Sequence, residues 1–381
     1  MVLKVNHSQL GELIDVYYEA KEALFVWGTF GIGKSRVVRE KAIEKAKSKG
    51  KIFVDWIKTT REQKQEIFAN PEKYFVLIDI RLSEYDSSDI KGLPIFKDDK
   101  LSIEFKVPFW SLLMEHPQSD GILLFDEVNL APPLVVSSCY KIIYDRVINE
   151  SKINDNWSII GCGNLSGDRA FTHEMAPPLR DRAGETELIT DNDEWFNWAT
   201  KEGVGIRAEV IGFLNWKSSA LRQVDFEDEQ KFTTPRGWER ANRLLGKQVF
   251  DKKNYDKIKL TISSAIGEGI ATEFIAYCKI QEIINLEELI KNPVKLGIEL
   301  KDRGVDVRYF VTTAVADKYK DKKIDFKKVV EISKEFDTMG DVELVAYMWD
   351  LCGKFSPKKF KEDFVKVIDN DLVQKYSKYM I

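Results

Sequence analysis

Four cysteines in 381 residues, none of them in a Cys-x-x-Cys pair, and only three histidines leave little from which to build a disulfide framework or a zinc module. Cys139, Cys162, Cys278 and Cys352 lie far apart, and His7, His116 and His173 are too few to complete a metal centre. Neither sign of charge dominates: 58 Lys and Arg against 62 Asp and Glu leave a formal charge of −4. No global basic field is therefore offered to nucleic acid or anionic lipid. No apolar stretch approaches the roughly eighteen residues of a membrane span, and Met1-Val2-Leu3-Lys4-Val5-Asn6-His7 lacks the apolar region of a signal peptide. The expectation is a soluble, cytoplasmic protein. No internal repeat or low-complexity segment stands out.

What is present points to an ordered chain of two or three domains: 44% of residues are hydrophobic, 31% are charged, and the length is about two and a half times that of a usual domain. The first half alternates short apolar runs with charged amphipathic stretches, the pattern of β-α-β units around a parallel sheet. Residues 23–27, 74–79, 121–125, 157–161 and 185–189 read as five strands, near-continuously apolar as a sheet covered on both faces requires. Residues 35–49 read as an amphipathic helix that Gly50 stops. Beyond about residue 190 helical periodicity takes over. Thr234-Pro235-Arg236 combines an N-cap with Pro at the first helical position, and Gly246 closes that helix. Ile262, Ile266, Ile270 and Phe274 recur at i+4 as a core-facing stripe, and Ser356-Pro357 starts a last helix.

Three constellations carry chemistry. Gly28-Thr29-Phe30-Gly31-Ile32-Gly33-Lys34-Ser35 satisfies G-x-x-x-x-G-K-[ST] between the first strand and the first helix of that sheet. Its glycines let successive N–H groups face phosphate oxygens, Lys34 would reach the β- and γ-phosphates, and the Ser35 hydroxyl would ligate Mg²⁺. Asp126-Glu127 ends the third strand, where ligands of open α/β sheets bind. Asp126 suits Mg²⁺, and Glu127 suits the activation of a water attacking the γ-phosphate. Asn164 ends the fourth strand and could orient that water, whereas Cys162 beside it reads as core packing. Arg182, with Arg180 in reserve, could act on the γ-phosphate of a neighbouring subunit; an ion pair with Asp181 or Glu185 is the alternative reading of this arginine turn. Arg236 could reach the phosphate from within the chain.

Together these residues resemble an AAA+ ATPase, and more narrowly the MoxR group. The resemblance spans about 23–242. It is carried by Asp89-Ile90-Lys91-Gly92-Leu93-Pro94, by Asp126-Glu127-Val128-Asn129-Leu130-Ala131-Pro132-Pro133, by Gly163-Asn164 with Asp168-Arg169-Ala170, and by Phe232-Thr233-Thr234-Pro235-Arg236-Gly237-Trp238-Glu239. The chain has Arg182-Ala183 where the family usually has Arg-Phe, and 51–73 reads as extra material. The resemblance implies Walker A at 28–35, Walker B at Asp126-Glu127, sensor 1 at Asn164, the arginine finger at Arg182 and sensor 2 at Arg236. It implies ATP and Mg²⁺ as cofactors and inserts within about 86–110 and 146–157. The change of periodicity near 190 bounds a nucleotide domain over 1–190 and a helical lid over 191–250, and periodicity alone assigns a helical extension over 251–381. The resemblance also implies a homo-oligomeric ring, a hexamer, acting on a protein client beside a von Willebrand factor A domain partner. A nucleic-acid motor using the same core is the alternative, with Lys141, Arg146 and Lys152 as candidate backbone contacts.

Overall fold

The computed structural model describes residues 2–96, 102–165, 173, 180–181, 183–201, 203–223, 233–284, 286–368 and 370–376. It packs as two units, Met1–Asp191 and Asn192–Ile381.

In the first unit the chain runs β1 (Leu3–Val5), α1 (His7–Ala20), β2 (Leu24–Trp27), α2 (Lys34–Ser48), β3 (Ile52–Asp55), α3 (Arg61–Ala69) and β4 (Tyr74–Arg81). A short helix α4 (Ser87–Lys91) and the antiparallel hairpin of β5 (Leu93–Phe96) and β6 (Ile103–Lys106) follow. Then come α5 (Phe109–Glu115), β7 (Gly121–Asp126), α6 (Pro133–Asp145), a second hairpin of β8 (Val147–Ile148) and β9 (Ser151–Lys152), β10 (Trp157–Gly163) and β11 (Gly184–Leu188). Seven strands form one parallel sheet in the order β1-β11-β2-β10-β7-β4-β3.

All five strands expected from the sequence form. The two additional strands take the sheet's edges: β1 has three residues and β3 lies within the segment read as extra material. Helices cover both faces. Leu10, Ile14, Val38 and Ala42 of α1 and α2 pack with Phe75, Leu77, Ile122 and Leu124 on one. Leu113, Met114, Val135 and Ile142 of α5 and α6 pack with Val76, Ile78, Leu123 and Phe125 on the other.

Two glycines shape the middle of this sheet. Gly161 and Gly163 of β10 stand opposite Phe25 and Trp27 of β2, and a Cβ on either would lie 2.4 or 2.2 Å from those rings. The two rings stack at 5.8 Å over the space the glycines leave.

The second unit is helical. Thr234 caps the helix Pro235–Leu245 by accepting from the Gly237 N–H, and Gly246 ends it, as the sequence indicates. The i+4 stripe falls on two helices rather than one. Gly267, at φ +83°, breaks the run between Tyr255–Ile266 and Glu268–Cys278, yet all four stripe residues remain buried. Among the described residues no helix is long and apolar enough to cross a membrane.

Candidate active site

The P-loop leaves the fully buried strand β2 and enters α2 through two glycines in the left-handed region, Gly31 at φ +77° and Gly33 at φ +100°. Side chains other than glycine seldom adopt these angles, so the turn that aims the N–H groups of α2's first turn depends on them. The Lys34 ammonium is buried and donates to Gly28 O (2.6 Å), Thr29 O (3.1 Å) and Asn164 Oδ1 (3.0 Å). It is thus held over the loop by its own carbonyls and by the residue read as a sensor. The Ser35 hydroxyl donates to Asp126 Oδ2 at 2.6 Å.

Glu127 sits at φ +56°, an uncommon conformation for a residue with a side chain, and its N–H donates to Asp126 Oδ1 at 2.9 Å. This turn takes the side chain off the strand direction of β7. The Ser83 hydroxyl, in the turn after β4, donates to Glu127 Oε2 at 2.6 Å. Asn164 is fixed through its backbone: Asn129 accepts from its N–H (2.9 Å) and donates from Nδ2 to its carbonyl (2.7 Å). Lys34, Ser35, Asp126, Glu127 and Asn164 are therefore brought together at the carboxyl ends of β7 and β10 beside the loop following β2.

Sequence reasoning passed over four contributors. Ser83 and Asn129 are short polar residues whose roles emerge only from strand order. His7 joins the loop through a 2.7 Å contact between its Nε2 and Ile32 O. Asp79 lies on β4, on the α2 face of the sheet, and pairs in register with Leu124 two residues before Asp126. Burial and the negative charge of Asp126 push its carboxyl up to about 6, against the pull of Arg39 and Arg81. A signal was available: Asp79 interrupts the apolar run of β4, followed by buried Ile80, whereas Asp126 ends that of β7. Cys162 is fully buried, and burial pushes its thiol far above the ordinary range, as core packing requires.

The arginines divide. Arg180 makes a bidentate pair with Glu185, at 2.9 Å from Nε and 2.8 Å from Nη2, so the ion-pair reading holds for it. Arg182 lies outside the described residues. Arg236 is exposed at the second position of its capped helix. Of the three cations considered for a nucleic-acid backbone, Lys141 donates to Asn149 O (2.7 Å). Arg146 donates to Trp157 O (2.7 Å), Asn154 O (3.0 Å) and Lys21 O (3.3 Å), and Lys152 remains exposed.

The donor set fits Mg²⁺. Among the described residues no group of three or more His, Cys, Asp or Glu side chains could hold a metal ion. One hydroxyl and one carboxylate facing each other are what a cation brought in by a nucleotide's phosphates would need.

No family model and no curated protein matches the chain. Solved structures similar to it include the Aeropyrum pernix ORC2 protein, at 12% identity over 88% of this chain and 85% of that one, with a TM-score of 0.35. Thermotoga maritima RuvB follows at 15% identity over 79% and 78%, with a TM-score of 0.32. The replication initiator DnaA bound to AMPPCP and single-stranded DNA is similar at 12% identity over 100% and 96%, with a TM-score of 0.30. Likenesses of this size carry no argument about activity, and the functional reading rests on the site.

Proposed function

We propose that the chain is an Mg²⁺-dependent ATPase of AAA+ type, and within that class a MoxR-like ring ATPase that remodels a protein client. The observation that carries this reading is the convergence of Lys34, Ser35, Asp126, Glu127 and Asn164 around a glycine loop at the start of α2.

Mg²⁺ would neutralise charge on the phosphates, with Ser35 and Asp126 as its protein ligands. The N–H groups of the loop and the Lys34 ammonium hold the β- and γ-phosphates, the ammonium exchanging its carbonyl partners for phosphate oxygens. Glu127 takes the proton of the attacking water, and the Ser83 hydroxyl competes for the same carboxylate. Asn164, fixed by Asn129, orients that water from β10. Arg182 is the proposed finger, delivered to the γ-phosphate of the next subunit in a hexameric ring, since Arg180 is paired with Glu185. Arg236 is proposed to report which nucleotide is bound. A von Willebrand factor A domain protein is the proposed partner, and the cytoplasm the proposed location.

Phosphate release from ATP with and without Mg²⁺ tests the reading. Hydrolysis should require Mg²⁺ and vanish in Lys34→Ala; hydrolysis that survives Lys34→Ala would overturn it. Affinity capture with Glu127→Gln and ATP should retain the client. The second reading, an ATP-driven nucleic-acid motor, predicts stimulation by DNA that falls steeply with salt.

A further inference from the structure

The helical unit contains a cavity of about 600 Å³, within the range of small-molecule sites. It is lined by the start of the helix Ala208–Trp216, by Tyr277, by Leu286 and Glu287, and by one face of the helix Val305–Lys320. Its floor is aromatic. Tyr277 and Phe310 meet edge to face with centroids 5.6 Å apart, and both are buried. Ile283, Ile284 and Leu286 add an aliphatic wall.

Three carboxylates reach this space, and two already have cations. Arg207 forks onto Glu209 at 2.7 and 3.1 Å, and Lys318 stands 3.4 Å from Glu287. Asp317 differs. Among the described residues its carboxylate has neither a hydrogen bond nor an ion pair, because the nearby cations are engaged elsewhere. Lys323 pairs with Asp321 at 3.0 Å, and Lys320 lies over the Phe355 ring at 5.3 Å. Burial holds the Asp317 carboxyl above its usual range, with Asp321 and Glu209 adding to the rise against Lys320 and Lys323. A partly buried anion without a partner, set beside an aromatic floor, is complementary to a cation with an apolar body. The charge would compensate Asp317, and the apolar floor would cover hydrocarbon.

We propose that this cavity binds an organic cation, an alkylammonium carried on an apolar body, with its charged head at Asp317 and its body on the Tyr277–Phe310 floor. The same head group occurs on free amines and on lysine side chains of polypeptides, and the probes below separate the two.

Calorimetric titration of the full chain with phenethylamine, its neutral counterpart 2-phenylethanol and N-acetyl-lysine methylamide tests the site. One equivalent of phenethylamine should bind, with the alcohol roughly tenfold weaker or more. Asp317→Asn preserves shape and removes charge, so it should cut amine affinity by a similar factor and bring amine and alcohol level. Ala314→Phe, which fills the cavity, should abolish binding of all three and serves if the Asn variant fails to fold. Tighter binding of the lysine derivative than of phenethylamine supports the site with a polypeptide source; the reverse order supports it with a free amine. Equal binding of amine and alcohol to the unaltered protein, an unchanged affinity in Asp317→Asn, or no amine binding up to about 10 mM would overturn the proposal.

Discussion

The two units place their polar side chains differently. In the α/β unit the side chains at the carboxyl end of the sheet form two hydrogen-bonded chains beside the P-loop, Lys34–Asn164–Asn129 and Ser35–Asp126–Glu127–Ser83, while Tyr18, Lys49 and Asp120 form a separate polar cluster at the start of β7. In the helical unit the core is aromatic, with Phe213, Trp238, Phe274 and Tyr277 packed mostly edge to face and Phe326 and Trp349 likewise. Two of its buried indoles are fixed within that core: Trp238 Nε1 donates to Ala220 O and Trp349 Nε1 to Ser333 Oγ, each at 2.8 Å. The first arrangement leaves hydrogen-bonding capacity that a phosphate chain could take over, whereas the second fixes a shape. Substitutions at the sheet end should therefore change turnover with little loss of stability, and substitutions in the aromatic core should do the reverse.

The largest effect is expected at the proposed shared site. Arg182→Ala should lower turnover by about 10³- to 10⁵-fold without moving the unfolding transition, and mixing it with Lys34→Ala subunits should restore part of the activity. Near-normal turnover of Arg182→Ala, with Arg180→Ala also tested, would remove the idea of a finger supplied in trans. Glu127→Gln should keep nucleotide binding, read with a fluorescent analogue, while phosphate release drops about 10²- to 10⁴-fold.

The opposite signature belongs to Trp349. It is fully buried, and truncation to Ala should cost about 3 to 5 kcal/mol in urea unfolding. Trp349→Phe should cost less, since the ring contacts with Phe326 and Tyr376 largely persist. A loss under about 1 kcal/mol for the Ala variant would mean that this core is less tightly packed than its geometry implies.

Asp79 tests the comparison from inside the α/β unit, because it is a sheet-end residue with an expected stability effect. Its folded-state carboxyl, at about 6, lies above the ordinary value near 3.8, so the folded chain holds the proton more tightly than the unfolded one. The stabilisation this provides is present below about pH 4 and is lost as pH rises through 6. Asp79→Asn should therefore raise stability at pH 7.5, by about 1 to 2 kcal/mol after allowing for solvent screening, and change little at pH 4. Thermal unfolding at the two pH values measures it, and equal shifts at both would exclude titration of Asp79 as the cause.

Legibility in the sequence follows the same division. The P-loop, Asp126-Glu127, Asn164 and the capped helix at Thr234 could be read because each rests on a short-range rule: a glycine spacing, the end of an apolar run, a cap. The strands Leu3–Val5 and Ile52–Asp55 could not, since three or four residues at a sheet edge give no periodicity to detect and gain their order from β11 and β4. Gly267 was hidden because the residues on either side keep the i+4 spacing across the break. Ser83 and Asn129 acquire meaning only when β4, β7 and β10 become neighbours, a non-local fact. The Asp317 cavity is less visible still, because it depends on which cations have found other partners.

Ser83 gives the smallest effect and the finest distinction. Its hydroxyl occupies one oxygen of Glu127 from an exposed position, so the bond contributes little to stability, and Ser83→Ala should leave urea unfolding within about 0.5 kcal/mol. Its influence on turnover depends on whether the bond restrains the base or aims it. The turn at φ +56° already fixes the direction of the Glu127 backbone, so aiming does not require Ser83. Restraint is the stronger reading: with the hydroxyl removed, both carboxylate oxygens are available to the attacking water. Turnover should then rise about two- to tenfold, while Ser83→Thr, which retains a hydroxyl, should stay near the unaltered rate. A fall in Ser83→Ala that Thr rescues would instead assign Ser83 to positioning the base, and would place the sheet-end hydrogen bonds nearer in character to those that hold the aromatic core.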